Sequence, residues 1–144
     1  MPRKTDSNNP ADWLYLAESD LEGIRDLAAR ELAYHLCRSK LAEVLEKVFK
    51  AELIRCGWFL EKTHDLMRLL EEIEQYAPDL LADSEPLALS LAETYFRERY
   101  PGFDLEEPDW PDLRAKIQAV GKLLAAVKAK LGSKIDHGFH GLHG

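Results

Sequence analysis

The sequence lacks the apolar run of roughly 18 residues that a membrane span needs, and its first residues show no hydrophobic signal-peptide region. Basic residues are also few, since 19 Lys and Arg against 26 Asp and Glu give a net charge of −7. Such a chain is not expected to bind nucleic-acid backbones non-specifically, because that affinity comes from clustered basic side chains. Neither a glycine-rich phosphate loop nor a Cys/His pair with zinc-ligand spacing occurs. We therefore expect a cytoplasmic protein with no membrane segment, no cofactor and no metal.

Cysteine is scarce as well, and Cys37 and Cys56 are predicted to be unpaired. Both fall in one predicted helix, where a rise of about 1.5 Å per residue separates them by roughly 28 Å. A disulfide needs Cα atoms within about 7 Å. Reduced, buried thiols are typical of a cytosolic protein.

Helix signals, in contrast, recur from residue 9 to residue 131. Asn9 before Pro10 has the pattern of an N-cap with proline in the first turn, and so has Asp109 before Pro111. Apolar residues at spacings of three and four fill the intervals, and no segment alternates with period two. We predict an all-α domain over residues 10–131, an antiparallel up-and-down bundle of four to five helices. Residues 1–9 and 132–144 are predicted to be flexible.

Several helix boundaries are predicted from single residues. Helix one turns into helix two somewhere within residues 28–33, a stretch without Gly or Pro. Thr63 and Ser84 are the predicted N-caps of helices three and four, and Gly132 is the predicted end of helix five. The glycine-rich tail that follows contains His137, His140 and His143, but its glycines leave no defined geometry for a metal.

The second predicted helix, from about residue 32 to 56, has two contrasting faces. A broad apolar stripe lines one of them, which indicates a central helix with neighbours on two sides. The opposite face carries Lys40, Glu43, Lys47 and Lys50, with Glu46 beside them. Such a face is usually solvated and joined by i,i+4 ion pairs, here Glu43 with Lys47 and Glu46 with Lys50. The alternative is that its lysines contact a bound partner.

Two further motifs, KTHDL and RERYP, place charged or imidazole groups at helix ends. His64 either belongs to a capping segment or contacts an anion at the helix start together with Lys62. Arg99 continues the stripe of Tyr95 into the last turn of its helix. There it either pairs with a carboxylate or clamps a phosphate or carboxylate ligand.

One pair of residues, Arg30 and His35, has the Arg-x4-His spacing of a nuclease motif. On a continuous helix the two side chains would point about 140° apart. They would diverge unless the second helix began between them, and because four-residue gaps of this kind arise easily by chance we discount the match.

Taken in order, the motifs EK-x-x-KA, TH-D-L and RYP resemble the HEPN domain, a small helical bundle. The resemblance covers about residues 12–131. The matching residues are Glu46, Lys47, Lys50 and Ala51, then Thr63, His64, Asp65 and Leu66, then Arg99, Tyr100 and Pro101. Many members have an Arg-x4-6-His ribonuclease motif formed across a dimer, and this motif is missing from the later helices here. Where members often carry Gln-Ala before the EK pair, this chain has Glu43 and Val44.

The resemblance therefore implies the branch without the nuclease motif. It implies a homodimeric module that binds a nucleotide or a minimal nucleotidyltransferase partner, in a toxin–antitoxin-like pair, with catalysis belonging to the partner. The ligand contacts expected on this basis are Lys47, Lys50, His64, Arg99 and Tyr95.

Two alternatives stay open. One is a metal-independent RNase toxin that uses Arg30 or Arg99 with His35 or His64 as transition-state stabiliser and general base. The other is a structural helical adaptor, which would tolerate substitution of Lys47, His64 and Arg99.

Overall fold

The computed structural model describes the backbone of residues 7–99 and 107–143, and the side chains of residues 7–92 and 107–132. Its helices are α1 (Pro10–Ala29), α2 (Tyr34–Arg55), α3 (Leu66–Tyr76), α4 (Leu81–Arg99) and α5 (Trp110–His143). A 3-10 turn, Pro78–Leu80, joins α3 to α4. This backbone contains no strand, so the predicted all-α bundle is confirmed.

The long helices α1 and α2 run antiparallel to each other. Trp13, near the start of α1, lies against Lys50, whereas Asp20, two turns later, approaches Lys40, ten residues earlier in α2. α4 is in turn antiparallel to α2. Asp79, just before α4, pairs with the Lys130 amine, which also pairs with Glu52 near the end of α2. Ala92, later in α4, lines an opening together with Ala42, in the first half of α2.

The last helix, α5, is antiparallel to α1 and closes the bundle. Near its start Arg114 donates a hydrogen bond to the Ala28 carbonyl at the end of α1, and further along Lys128 pairs with Glu18. α1, α2, α4 and α5 thus alternate in direction, and the loop of residues 56–65 with α3 packs on the outside of α2 and α4.

α2 is the central helix, as its broad apolar stripe predicts. It contacts every other helix of the bundle and contributes the largest set of core side chains. Its buried apolar residues are Tyr34, Cys37, Leu41, Ala42, Val44, Leu45, Val48, Phe49, Ala51 and Leu53.

The connection between α1 and α2 is tight and lies inside the predicted stretch. Arg30 caps α1 and Ala33 caps α2. Glu31 and Ala33 have φ angles of 52° and 56°, in the left-handed region that non-glycine residues rarely adopt. Each costs on the order of 1 kcal/mol. The packing of α1 on α2 therefore has to hold this turn in place.

The two N-terminal caps with a neighbouring proline are confirmed. The Asn9 side chain accepts a hydrogen bond from the Ala11 amide at 3.0 Å, and that of Asp109 accepts one from the Asp112 amide at 3.1 Å. Both are short polar side chains in the position where they satisfy an otherwise unpaired amide of the first turn.

Three other predicted boundaries are wrong. Asp65, not Thr63, is the N-cap of α3, because the Thr63 hydroxyl accepts a hydrogen bond from the Asp65 amide and forms a turn before the helix. Ser84 lies inside α4, with its hydroxyl buried and without a partner among the described residues. α5 continues through Gly132 to His143, because Gly132 keeps helical rather than left-handed geometry.

Both cysteines are free thiols, as predicted. Cys37 is buried and Cys56 half-buried, and burial raises the pKa of each thiol. None of the helices in the described part of the chain combines the length and apolar character of a membrane span.

Candidate binding site

A buried ion pair lies on the charged face of α2. Lys50 is only 2% exposed, and its Nζ is 3.0 Å from Oε2 of Glu46, one helical turn earlier. The predicted Glu46–Lys50 pair is therefore present, but the prediction of a solvated face is wrong at both residues. The reason is that α1 and the loop of residues 56–65 cover this part of α2.

Trp13 of α1 forms the wall opposite Lys50. The Lys50 amine is 5.1 Å from the centre of the indole ring, a cation–π distance. The indole Nε1 donates a hydrogen bond to the Ser7 carbonyl at 2.7 Å, which fixes the plane of the ring. Trp13 is half-buried, so part of the ring remains accessible beside the lysine.

His64 reaches the same carboxylate from the loop before α3. Its Nδ1 lies 3.2 Å and 3.0 Å from the two oxygens of Glu46. The imidazole side chain is nevertheless 75% exposed, so its other edge faces solvent. Glu46 thus joins a buried lysine to an exposed histidine.

The start of α3 is not free to bind an anion through its first amides. The Asp65 carboxylate accepts hydrogen bonds from the Met67 and Arg68 amides at 3.0 Å and 3.3 Å. His64 lies two residues before the first helical residue rather than in the first turn. The anion contact predicted for this helix start would therefore have to come from side chains.

Lys47 pairs with Asp20 of α1 rather than with Glu43, the partner predicted on its own helix. Its Nζ is 3.2 Å from Oδ2 of Asp20, and Lys40 approaches the same oxygen at 4.0 Å. Glu43 pairs with Lys40 at 3.6 Å. These contacts direct Lys47 along the α1–α2 boundary, close to Trp13 and Lys50.

These residues line two adjoining openings that share Glu43, Glu46, Lys62 and His64. The first, which we call the Trp13 groove, measures about 380 Å³ and is completed by Trp13, Lys47 and Lys50. The second, the Ala92 pocket, measures about 390 Å³ and is completed by Ala42, Thr63, Asp65, Leu66 and Ala92. The His64–Glu46 contact lies at the boundary between them.

The structure therefore brings three of the five predicted contacts to one groove, namely Lys47, Lys50 and His64. The side chains of Tyr95 and Arg99 lie outside the described residues, as do Tyr100 and Pro101. The backbone of α4 places residue 95 about one turn, and residue 99 about two turns, beyond Ala92.

Sequence reasoning missed two residues of the site. Trp13 fits the apolar stripe of α1, and nothing in its spacing indicates that it meets a lysine of α2. Glu46 is part of the EK motif but was assigned to a solvated face. Its position one helical turn before Lys50, on the same face of α2, is the one sequence signal of the buried pair.

A second buried carboxylate, Glu52, lies six residues further along α2. Arg55 binds it through Nε at 2.6 Å, and Lys130 of α5 through Nζ at 3.0 Å. Lys130 also pairs with Asp79. We call these four residues the Glu52 network.

The charges of the Glu52 network support one another. The hydrogen bond to Glu52 raises the pKa of Arg55, and the one from Lys130 lowers the pKa of Asp79. Burial alone would lower the pKa of Lys130, but its hydrogen bonds to Asp79 and Glu52 outweigh burial and raise it. The network ties α2, the 3-10 turn and α5 together and leaves Glu52 only 1% exposed.

The Arg30–His35 pair lies at the other end of α2. The break between α1 and α2 does fall between the two residues. Arg30 is engaged by Asp26 at 2.8 Å. His35 is 15 residues from Lys50, about 22 Å along the helix axis, so this pair and the Trp13 groove are separate places.

The bundle and its groove define a small all-α domain whose charged side chains are gathered on one face of the central helix. A family model described as HEPN domain matches residues 10–132. The chain belongs to the HEPN family. No curated protein and no solved structure matches it.

Proposed function

We propose that this HEPN domain is a binding module that takes a nucleotide in the Trp13 groove and has no catalytic activity of its own. One observation carries the proposal, namely that an aromatic ring, an imidazole and three lysines line a single opening. Its volume of about 380 Å³ lies within the range of small-ligand sites, roughly 300–1,000 Å³.

Charge favours an anionic ligand at this place. The groove has Lys47, Lys50 and Lys62 against Glu43 and Glu46, a local balance of +1 before His64 is counted, on a chain of net charge −7. Lys62 is exposed and forms no ion pair within the described residues, so its amine is available to a phosphate. The accessible part of the Trp13 ring offers a stacking surface for a base.

The lysines have different roles in this proposal. Lys62 and His64 are exposed and contact the ligand directly, and Lys47 adds a charge at the α1 edge. Lys50 is almost fully buried and acts through Glu46 and Trp13 as a positioning residue. Arg99 belongs to the proposed contacts on the strength of the family motif, and Tyr95 because it shares the stripe of Arg99.

We further propose a nucleotidyltransferase partner in a toxin–antitoxin-like pair, with this chain as a cytoplasmic homodimer. Membership of the HEPN family supports this, and the two free thiols agree with a reducing compartment. The catalytic step would then take place on the partner.

Titration calorimetry and thermal shift with a panel of purine and pyrimidine nucleotides test the ligand. We expect one or more nucleotides to raise the melting temperature, and Lys62→Ala to weaken their binding about fivefold through the loss of a charge-assisted contact. Lys122→Ala, a lysine on α5 away from the groove, is the matched control and should bind as the parent does. If no nucleotide stabilises the protein, alone or with the partner, the ligand proposal is wrong.

A second candidate is the metal-independent RNase, because a carboxylate that holds an imidazole, here Glu46 with His64, is also the arrangement of a general base. Purified protein should then cleave RNA in the presence of a chelator, and His64→Ala should abolish cleavage. Cleavage that survives both His64→Ala and His35→Ala would eliminate these assignments.

A further inference from the structure

A different groove lies between the second half of α1 and the first half of α5. Arg25, Ala28 and Ala29 of α1 line it together with Arg114, Ile117 and Gln118 of α5, and it measures about 250 Å³. We call it the Arg25 groove. It shares no residue with the Trp13 groove, and the function proposed above does not use it.

Arg25 approaches α5 at Gly121, where the helix carries no side chain. A Cβ atom added at Gly121 would overlap the Arg25 guanidinium. The arginine therefore lies against bare backbone, which restricts where its donors can point. No carboxylate in the described part of the chain pairs with it, although Glu22 and Asp26 are close by on the same helix.

Arg114 faces the same groove and is anchored. Its Nη1 lies 3.0 Å from a carboxylate oxygen of Glu31 and 3.3 Å from the Ala28 carbonyl. Both contacts use one nitrogen of a guanidinium that carries five N–H donors. The remaining donors are therefore available while the group is held in position.

Two arginines and an amide thus surround an apolar floor of Ala28 and Ile117. We propose that the Arg25 groove binds a phosphate group of a small phosphorylated ligand. A phosphate has enough acceptor oxygens to meet Arg25, Arg114 and Gln118 from three sides, and arginine matches its geometry with paired N–H donors. The groove is too small for a whole nucleotide but large enough for a phosphate end.

NMR titration of the full chain with inorganic phosphate, at constant ionic strength held with sodium chloride, tests this. The Nε–H signals of Arg25 and Arg114 and the amide of Gly121 should shift with one common saturation curve. Arg68, a partly exposed arginine that Glu61, Glu71 and Glu72 already hold, provides the internal control and should not follow that curve.

Gly121→Ala is the decisive variant. It keeps every charge and favours the helix, but its methyl group displaces the Arg25 guanidinium. We expect it to weaken phosphate binding about tenfold, as Arg25→Ala does, with Arg68→Ala unchanged. Phosphate binding that is equal in Gly121→Ala and the parent, or shifts that acetate reproduces at the same concentrations, would overturn the proposal.

Discussion

Glu46 and Glu52 are two buried carboxylates on the same helix, and they differ in what surrounds them. Glu52 is met by Arg55 and Lys130, and Lys130 is held in turn by Asp79. Glu46 is met by Lys50 of its own helix and by an exposed His64. Glu52 joins three elements of the bundle, whereas Glu46 lies beside a groove.

This contrast distinguishes a structural charge from a candidate functional one. The oxygens of Glu52 accept hydrogen bonds from partners inside the fold, so its interactions stabilise the packing of the helices. Glu46 has one partner that solvent or a ligand can reach. We therefore expect substitution of Glu52 to affect stability alone and substitution of Glu46 to affect binding as well as stability.

The largest effect is expected for Glu52→Gln. It leaves the cations of Arg55 and Lys130 without their shared carboxylate, and breaking a buried pair in this way costs about 3 kcal/mol of unfolding free energy. Urea denaturation measures it, with Glu71→Gln as the exposed control. Since the network lies away from the groove, nucleotide affinity should not change, and a lower affinity in folded Glu52→Gln would contradict the comparison.

A smaller loss of stability, about 2 kcal/mol, is expected for Glu46→Gln. Lys50 keeps its cation–π contact with the Trp13 ring, and the contact that His64 loses is with an exposed side chain and contributes little. Removing this carboxylate also raises the local charge of the groove from +1 to +2. Nucleotide affinity should therefore rise about threefold, as expected for one charge near the surface. Calorimetry on the variant checks both the sign and the size of this change in nucleotide affinity.

The smallest effect concerns the dependence of stability on pH. The hydrogen bond from Lys130 lowers the pKa of Asp79, so the stabilisation from this carboxylate is present above its unfolded pKa and is lost as pH falls through the lower folded value. Asp79→Asn should be less stable than the parent at pH 7, and the difference should shrink in strong acid. Denaturation midpoints at pH 7, 5 and 3 measure this, and a constant difference would contradict it.

The fold was largely accessible from the sequence because its signals are local. Asn9 and Asp109 next to prolines mark helix starts through interactions within one turn, and the stripe of α2 shows that it is central. The N-caps predicted at Thr63 and Ser84 are wrong because neither hydroxyl caps the start of its helix. Both are good caps by type, but one forms a turn with Asp65 and the other is enclosed by the core.

The groove was accessible only in part. The sequence shows that Lys47 and Lys50 share a face of α2, but the burial of Lys50 depends on Trp13, 37 positions away in the sequence. The contact of His64 with Glu46 depends likewise on the path of residues 56–65. Periodicity reports which side chains share a face of one helix, and it does not report what another segment places on that face.

The strained turn of Glu31 and Ala33 has a consequence for this distant groove. Trp13 meets Lys50 because the packing of α1 on α2 fixes the rotation of one helix relative to the other, and the turn has to match that rotation. If α1 gained or lost one helical residue at this turn, the rest of α1 would rotate by about 100° relative to α2. The indole would then face away from the lysine. The residue at which α1 ends is thus constrained by the groove, even though the side chains of the turn are exposed.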